Sequence, residues 1–294
     1  MNANGIYEGK GRRIFEIANY LLLTVIVGLT LYPVLYVLAA SLSSHQYLEQ
    51  AKVTIIPLGF TIEAYQRVLA NPLIGISYLN TVFYTVAGTA ISLFLTTLSA
   101  YALSRRKFSG KKFFLGIVVF AMLFNGGIIP TFLVVRGLGF YNTIWAILLP
   151  AALTSFNLII MKTFFEQIPY ELEESAALDG CNPLQTLFLI FLPLSLPGLM
   201  TVGLFYAVSQ WNSFFPAMIY LRDRSLMPIQ IVLRDIVIQN QTDSFVADLA
   251  TNQDQVSESI RYATIIVATL PIMIVYPFIQ KFFIKGTMIG AVKG

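Results

Sequence analysis

Histidine and cysteine are almost absent: one of each, His45 and Cys181, occurs in 294 residues. A lone cysteine excludes an internal disulfide. One His and one Cys leave almost nothing from which to build a zinc site or a Cys–His nucleophile pair. Cys181 reads as a small residue in a turn and His45 as a solvated loop residue. Charge is scarce as well. Asp, Glu, Lys and Arg make up 12% of the chain, against about 25% in an average soluble domain. No G-x-x-x-x-G-K-[ST] phosphate loop occurs, so ATP has no site of that type in this chain. The long apolar runs carry essentially no acidic or basic residue away from their ends. Ion-coupled carriers commonly keep ionisable groups at membrane depth, so a self-powered secondary carrier is disfavoured. A membrane-embedded enzyme would need His, Asp or Glu clustered at that depth.

What is present is apolar. Hydrophobic residues form 56% of the chain and the mean hydropathy is +0.72. A helix crossing a bilayer needs about 20 apolar residues. Six runs approach that length: 14–40, 76–103, 113–135, 144–161, 187–208 and 260–283. The first is too long for a signal-peptide core and lacks a clear cleavage site, so it reads as a retained helix. The third is interrupted by Asn125-Gly126-Gly127 and Pro130, the fourth contains Pro150, Ser155 and Asn157, and the fifth contains Pro193 and Pro197. Broken helices at membrane depth are tolerated where they line a cavity or pack on protein.

Charge sets the orientation. With both termini inside, twelve of the nineteen Lys and Arg residues fall on the cytoplasmic side, as the positive-inside bias requires. The cluster Arg105, Arg106, Lys107, Lys111 and Lys112 then reads as an inner loop rather than a nucleic-acid site. The expectation is an all-α membrane protein with six transmembrane helices and both termini cytoplasmic. Its parts are an N-terminal segment 1–13, a transmembrane domain 14–283 and a tail 284–294. An inner loop spans about 162–186 and an outer loop about 210–259. Trp145 and Trp211, near span ends, read as interfacial anchors.

The stretch Ile168–Pro197 begins as an acidic island between apolar runs. Pro169 suits the first position of a helix. Glu171, Glu173 and Glu174 suit the positive end of its dipole. Gly180 supplies a left-handed stop, and Asn182 with Pro183 starts a new helix. Tyr170, Glu174, Ala177 and Leu178 share one face of the short helix, with one charge among apolar groups. Such a face suits a partner's groove.

These residues also carry a family resemblance. Glu174-Ser175-Ala176, Gly180, Ile190, Leu192 and Pro193 stand at the spacing of the EAA loop of the membrane subunits of binding-protein-dependent ABC importers. The one departure is Ser175 where alanine is usual. The surroundings resemble sugar permeases, particularly those of complex-oligosaccharide importers, over most of the chain. Trp211-Asn212-Ser213-Phe214-Phe215 is similar to a stretch of those permeases, and so is the tail with Gly286, Gly290, Ala291, Lys293 and Gly294.

The resemblance implies a type I ABC importer permease fold in a bacterial cytoplasmic membrane. It implies a second homologous permease, two ATP-binding subunits that hold ATP and Mg, an extracytoplasmic binding protein and an oligosaccharide substrate. It makes the helix before Gly180 the coupling helix and pairs Glu174 with a basic residue of an ATPase. Nothing in it calls for a cofactor or nucleic acid. Polar residues in or near spans are candidates for the substrate path: Asn80, Tyr84, Asn125, Ser155, Asn157, Gln210 and Asn212. Packing between helices is the competing explanation for each. Another solute class remains the alternative for the substrate.

Overall fold

The computed structural model describes residues 10–238 and 258–291. The segment 1–9, the outer-loop stretch 239–257 and residues 292–294 of the tail lie outside the described residues. Two compact units emerge among the described residues, one of 10–70 with 258–267 and one of 71–238 with 268–291. Every described element is helical or a turn.

In the first unit, α1 (Lys10–Ser41) is a single helix with Pro33 inside it. None of its most apolar window is buried. The stretch 42–71 that follows α1 carries helical structure of its own. α2 (His45–Glu49) and α3 (Glu63–Ala70) stand in it. Ala39, Ala40, Leu48 and Val53 form a small core, with Tyr36 and Tyr262 against it. Ser43 clamps the chain reversal, donating to the Ala39 carbonyl at 2.7 Å and accepting from the Leu58 amide at 3.1 Å. His45 is exposed and lies 3.1 Å from Glu49.

In the second unit, α4 (Pro72–Ser104) is the axial element. Asn71 caps it by accepting from the Leu73 amide at 2.8 Å. Pro72 stands at its start, so the helix begins ahead of the apolar run. Ser77, Thr81, Gly88, Ser92 and Thr96 are buried along one side of α4. Small residues at helical spacing let neighbouring backbones approach closely, the main source of helix association where lipid removes the hydrophobic drive. α5 (Lys111–Leu123) and α6 (Ile128–Gly137) follow, bent by 118° at the Asn-Gly-Gly break. Gly127 sits there at φ +86°.

The fourth run departs from a single helix. α7 (Trp145–Leu148) and α8 (Ser155–Glu166) are separated by turns over 149–154, because Pro150 lacks the N–H a continuing helix needs. α9 (Tyr170–Leu178) and α10 (Pro183–Thr186) come next. A π-helical segment, Leu187–Phe191, leads into α11 (Leu192–Leu194) and α12 (Leu196–Trp211). The axis bends by 86° at Ser195, between Pro193 and Pro197. α13 (Phe215–Tyr220), a 3-10 turn at Arg224–Leu226 and α14 (Ile229–Ile238) complete the stretch before 239. α15 (Glu258–Ala291) contains Pro271 and Pro277. It runs past the expected end at Phe283 through Gly286 and Gly290.

Among the described residues three helices are long and apolar enough to cross a membrane, and each bent pair counted as one span brings the number to five. The main core of this unit is Tyr101, Leu158, Met161, Phe165, Leu187, Phe191, Val202 and Tyr206. There α4, α8, the π-helical segment and α12 meet.

Candidate functional site

The acidic island folds as its local chemistry dictates, with one shift. Pro169 is the residue before the helix (φ −53°, ψ 135°) and Tyr170 is its first residue. At the far end the Cys181 amide reaches the Ala176 carbonyl at 2.9 Å and the Gly180 amide the Ala177 carbonyl at 3.1 Å. This is a Schellman stop. Gly180 lies at φ +83° with nothing near a hypothetical Cβ, so it is the backbone conformation, not space, that favours glycine. Asn182 and Gln185 form a reciprocal capping box at 2.8 and 2.9 Å.

The two sides of α9 differ. Ala176 is buried, while Tyr170 and Glu173 are half-covered. Arg105 Nη1 lies 2.6 Å from Glu173 Oε1. By its geometry this contact is an ion pair rather than an aligned hydrogen bond. The same guanidinium lies over the Tyr101 ring at 4.5 Å and the Phe191 ring at 4.1 Å. Arg106 covers Tyr170 at 4.9 Å. Interaction with the Tyr170 side chain, and then with the Glu174 and Glu173 carboxylates, holds the Lys107 ammonium's pKa above its usual value. Nearby, Glu166 bridges Lys111 at 2.9 Å and Lys162 at 2.6 Å. On the other side Glu171, Leu172, Glu174, Ser175, Ala177 and Leu178 are exposed. Leu178 is 89% exposed.

The motif residues therefore divide. Glu174 and Gly180 face outward. Ser175 is exposed and donates to the Glu171 carbonyl at 2.9 Å. Ala176 packs inward, Ile190 and Leu192 pack on the main core, and Pro193 stands exposed in α11. Of the shared face expected from spacing, Glu174, Ala177 and Leu178 are open and Tyr170 is covered. Sequence reading gave Glu173 only a place near the helix dipole, and it missed Glu166 and the clasping role of the basic cluster. The signal was available: a basic stretch at 105–112 and an acidic one at 166–174, both expected on the inner side.

The polar residues of the spans also separate. A cavity of about 240 Å³ opens at the break between α7 and α8, lined by Asn157, Gln210, Tyr206 and Thr154 among others. Gln210 lies across Gly88, its Nε2 2.7 Å from where a Cβ would stand. The Tyr206 hydroxyl is 2.7 Å from that of Thr96 and accepts from the Thr154 amide at 3.2 Å. A smaller pocket of about 200 Å³ is lined by Asn125 and Phe215 and shares Thr131, Pro216 and Tyr220 with the first. No charged side chain lines either one. In the larger cavity these amides, hydroxyls and rings share the lining with Ala146, Ile147, Pro150, Ala151 and Pro216.

The other candidates lie elsewhere. Asn80 donates to the Ser225 carbonyl at 2.6 Å and to the Met227 carbonyl at 3.2 Å, and Tyr84 to the Leu226 carbonyl at 2.8 Å. Both tie down the 3-10 turn. Ser155 opens α8, and Asn212 bonds the Val208 carbonyl at 2.9 Å. Trp211 is buried, its indole donating to the Ala268 carbonyl at 3.1 Å, so its place is in helix packing. Among the described residues no group of His, Cys, Asp and Glu could hold a metal ion.

Comparison with known proteins agrees with this architecture. Over 283 residues the chain is 45% identical to the polygalacturonan/rhamnogalacturonan transport system permease protein YtcP of Bacillus subtilis, covering 96% of this chain and 99% of that one. It is 44% identical to protein LplC of the same organism, over 98% of both chains. Among solved structures it resembles a chain of a bacterial ABC transporter involved in the import of the acidic polysaccharide alginate. The identity there is 39% and the TM-score 0.88, covering 95% of this chain and 100% of that one. The family model for the inner membrane component of binding-protein-dependent transport systems matches residues 92–289, and the chain belongs to that family.

Proposed function

We propose that this chain is one of two homologous permease subunits of an ATP-driven importer for an oligosaccharide, with α9 as its coupling helix. Family membership makes it a transport component that works with ATPase subunits and a binding protein. The observation that carries the coupling assignment is the two-sidedness of α9. One side is fastened by Arg105 and Ala176, and the other presents Glu174, Ala177 and Leu178 to the exterior. A large exposed leucine beside a carboxylate on a braced helix has the form of a groove-docking element. ATP and Mg would sit on the partner subunits. Six crossings, cytoplasmic termini and a bacterial cytoplasmic membrane location complete the reading.

The oligosaccharide is supported by the polysaccharides named for the relatives and by the uncharged cavity holding Asn157 and Gln210. That cavity, rather than Asn80 or Tyr84, is the part of the path assigned to substrate.

The test is the assembled complex in proteoliposomes. Glu174→Lys and Gly180→Pro should leave membrane insertion intact and reduce substrate-stimulated ATP hydrolysis to the unstimulated level. Full stimulation in both variants would remove the coupling role from α9. Transport by the chain alone, without ATP, would favour a secondary carrier instead.

A further inference from the structure

We propose that Arg105 is a positioning residue that locks α9 to α4, so that a displacement of α9 moves the cavity-bearing helix. The inference rests on the reading of α9 as the element that a partner ATPase engages. It goes beyond that reading by naming the joint inside this chain.

Arg105 immediately follows α4, its amide bonded to the Ala102 carbonyl. Its guanidinium meets three elements at once. Tyr101 belongs to α4 and Phe191 closes the π-helical segment, and the two rings stand 4.5 and 4.1 Å from the guanidinium carbon. Glu173 belongs to α9, at 2.6 Å. The rings also touch each other, with centroids 5.2 Å apart, and both touch Phe165 of α8. Phe165 and Phe191 are each 1% exposed. The charge pair is therefore seated on a rigid aromatic platform, with side-chain exposures of 17% for Arg105 and 28% for Glu173.

The chemistry is specific to arginine. A planar guanidinium can stack on rings and face a carboxylate at the same time, while an ammonium acts as a point charge. A partly desolvated pair is also asymmetric: removing one partner leaves the other charge uncompensated. The π-helical segment adds an element with an alternative backbone register, a feature often found at functional sites.

From the joint, α4 runs to the cavity. Thr96 on α4 bonds Tyr206, and Gly88 on α4 bears on Gln210. Both partners line the cavity. Residues 106 and 111 add contacts around the joint to Tyr170 and Glu166. Arg105 thus connects α9 both to the end of α4 and to the aromatic platform.

The experiment uses the full complex with its binding protein in proteoliposomes, and reads assembly, unstimulated ATPase and substrate-stimulated ATPase. Arg105→Met and the near-isosteric Glu173→Gln should assemble. The ratio of stimulated to unstimulated ATPase should fall by about fivefold or more, the lower end of typical coupling between sites. Arg105→Lys should recover only part of it. A merely structural role would lower complex yield and scale both activities together, leaving the ratio at its wild-type value. If Arg105→Met fails to assemble, the ratio in Glu173→Gln decides alone. A wild-type ratio in these variants while Glu174→Lys loses stimulation would overturn the joint and leave α9 as the coupling helix. A wild-type ratio in Glu174→Lys as well would overturn both.

Discussion

Two helical glycines carry very different constraints. At Gly198 a Cβ would stand 2.5 Å from Phe164 Cγ and 3.0 Å from its Cβ, against atoms close to the backbone of α8. Gly198→Ala is therefore expected to destabilise the chain by about 1–3 kcal/mol, the range for overpacking, as a lowered midpoint of thermal unfolding in detergent. At Gly88 the obstacle is the end of the Gln210 side chain, which can swing aside. Gly88→Ala should leave the midpoint nearly unchanged and alter substrate stimulation, because the displaced amide belongs to the cavity. Nothing in the sequence separates these two glycines, since each is a small residue in an apolar run. Glu166 illustrates the same limit for charge. Burial pushes its carboxyl up, and the hydrogen bonds and charges of Lys162 and Lys111 outweigh that and hold it below the usual 4.5. A carboxyl depressed in the folded state stabilises above its unfolded pKa and loses that contribution as pH falls. The bridge should be intact at neutral pH and weaken in acid, so the difference in unfolding midpoint between wild type and Glu166→Gln should shrink toward about pH 4.

At the scale of elements, the helix–turn–helix of the island was legible because its signals are local. Gly180 adopts φ +83°, a conformation that costs a residue with a Cβ roughly 1–2 kcal/mol. Asn182 closes a capping box whose removal typically costs about 1 kcal/mol. Gly180→Ala should loosen the end of α9, and Asn182→Ala should fray the start of α10, by about these amounts. Faster hydrogen exchange at 180–186 would show it, with α12 exchanging at its wild-type rate. The orientation of α9 was not legible. Spacing grouped Tyr170 with Glu174 and Leu178, yet Arg106 covers Tyr170, and Glu173 rather than Glu174 turns inward. Three glutamates within four positions look alike until a partner on another element selects one. The break in the fourth run was half legible: Pro150 marked a weak point, but the turns over 149–154 and the cavity beside them depend on α6, α12 and α13 packing there.

For the molecule as a whole, the apolar surface dominates. The most apolar window of α1 has no buried residue, which suits contact with lipid or with other subunits. Gentle extraction from the native membrane should therefore recover the chain with a second permease, a pair of ATPases and a binding protein, identified by mass spectrometry of the tagged complex. Recovery of the chain by itself, still transporting in vesicles without ATP, would contradict the importer reading.

The sequence alone pointed to a helical membrane chain carrying an EAA-type loop with a glycine stop and a capped restart. Apolar length, caps and motif spacing are properties of contiguous residues and need no fold to be read. The tertiary structure decided which glutamate faces inward, which polar residues share a cavity and which merely anchor a turn. It also showed that a basic loop clasps the island. These depend on residues far apart in the chain meeting at one point, as Arg105 meets Glu173 and Phe191, and only packing brings them together.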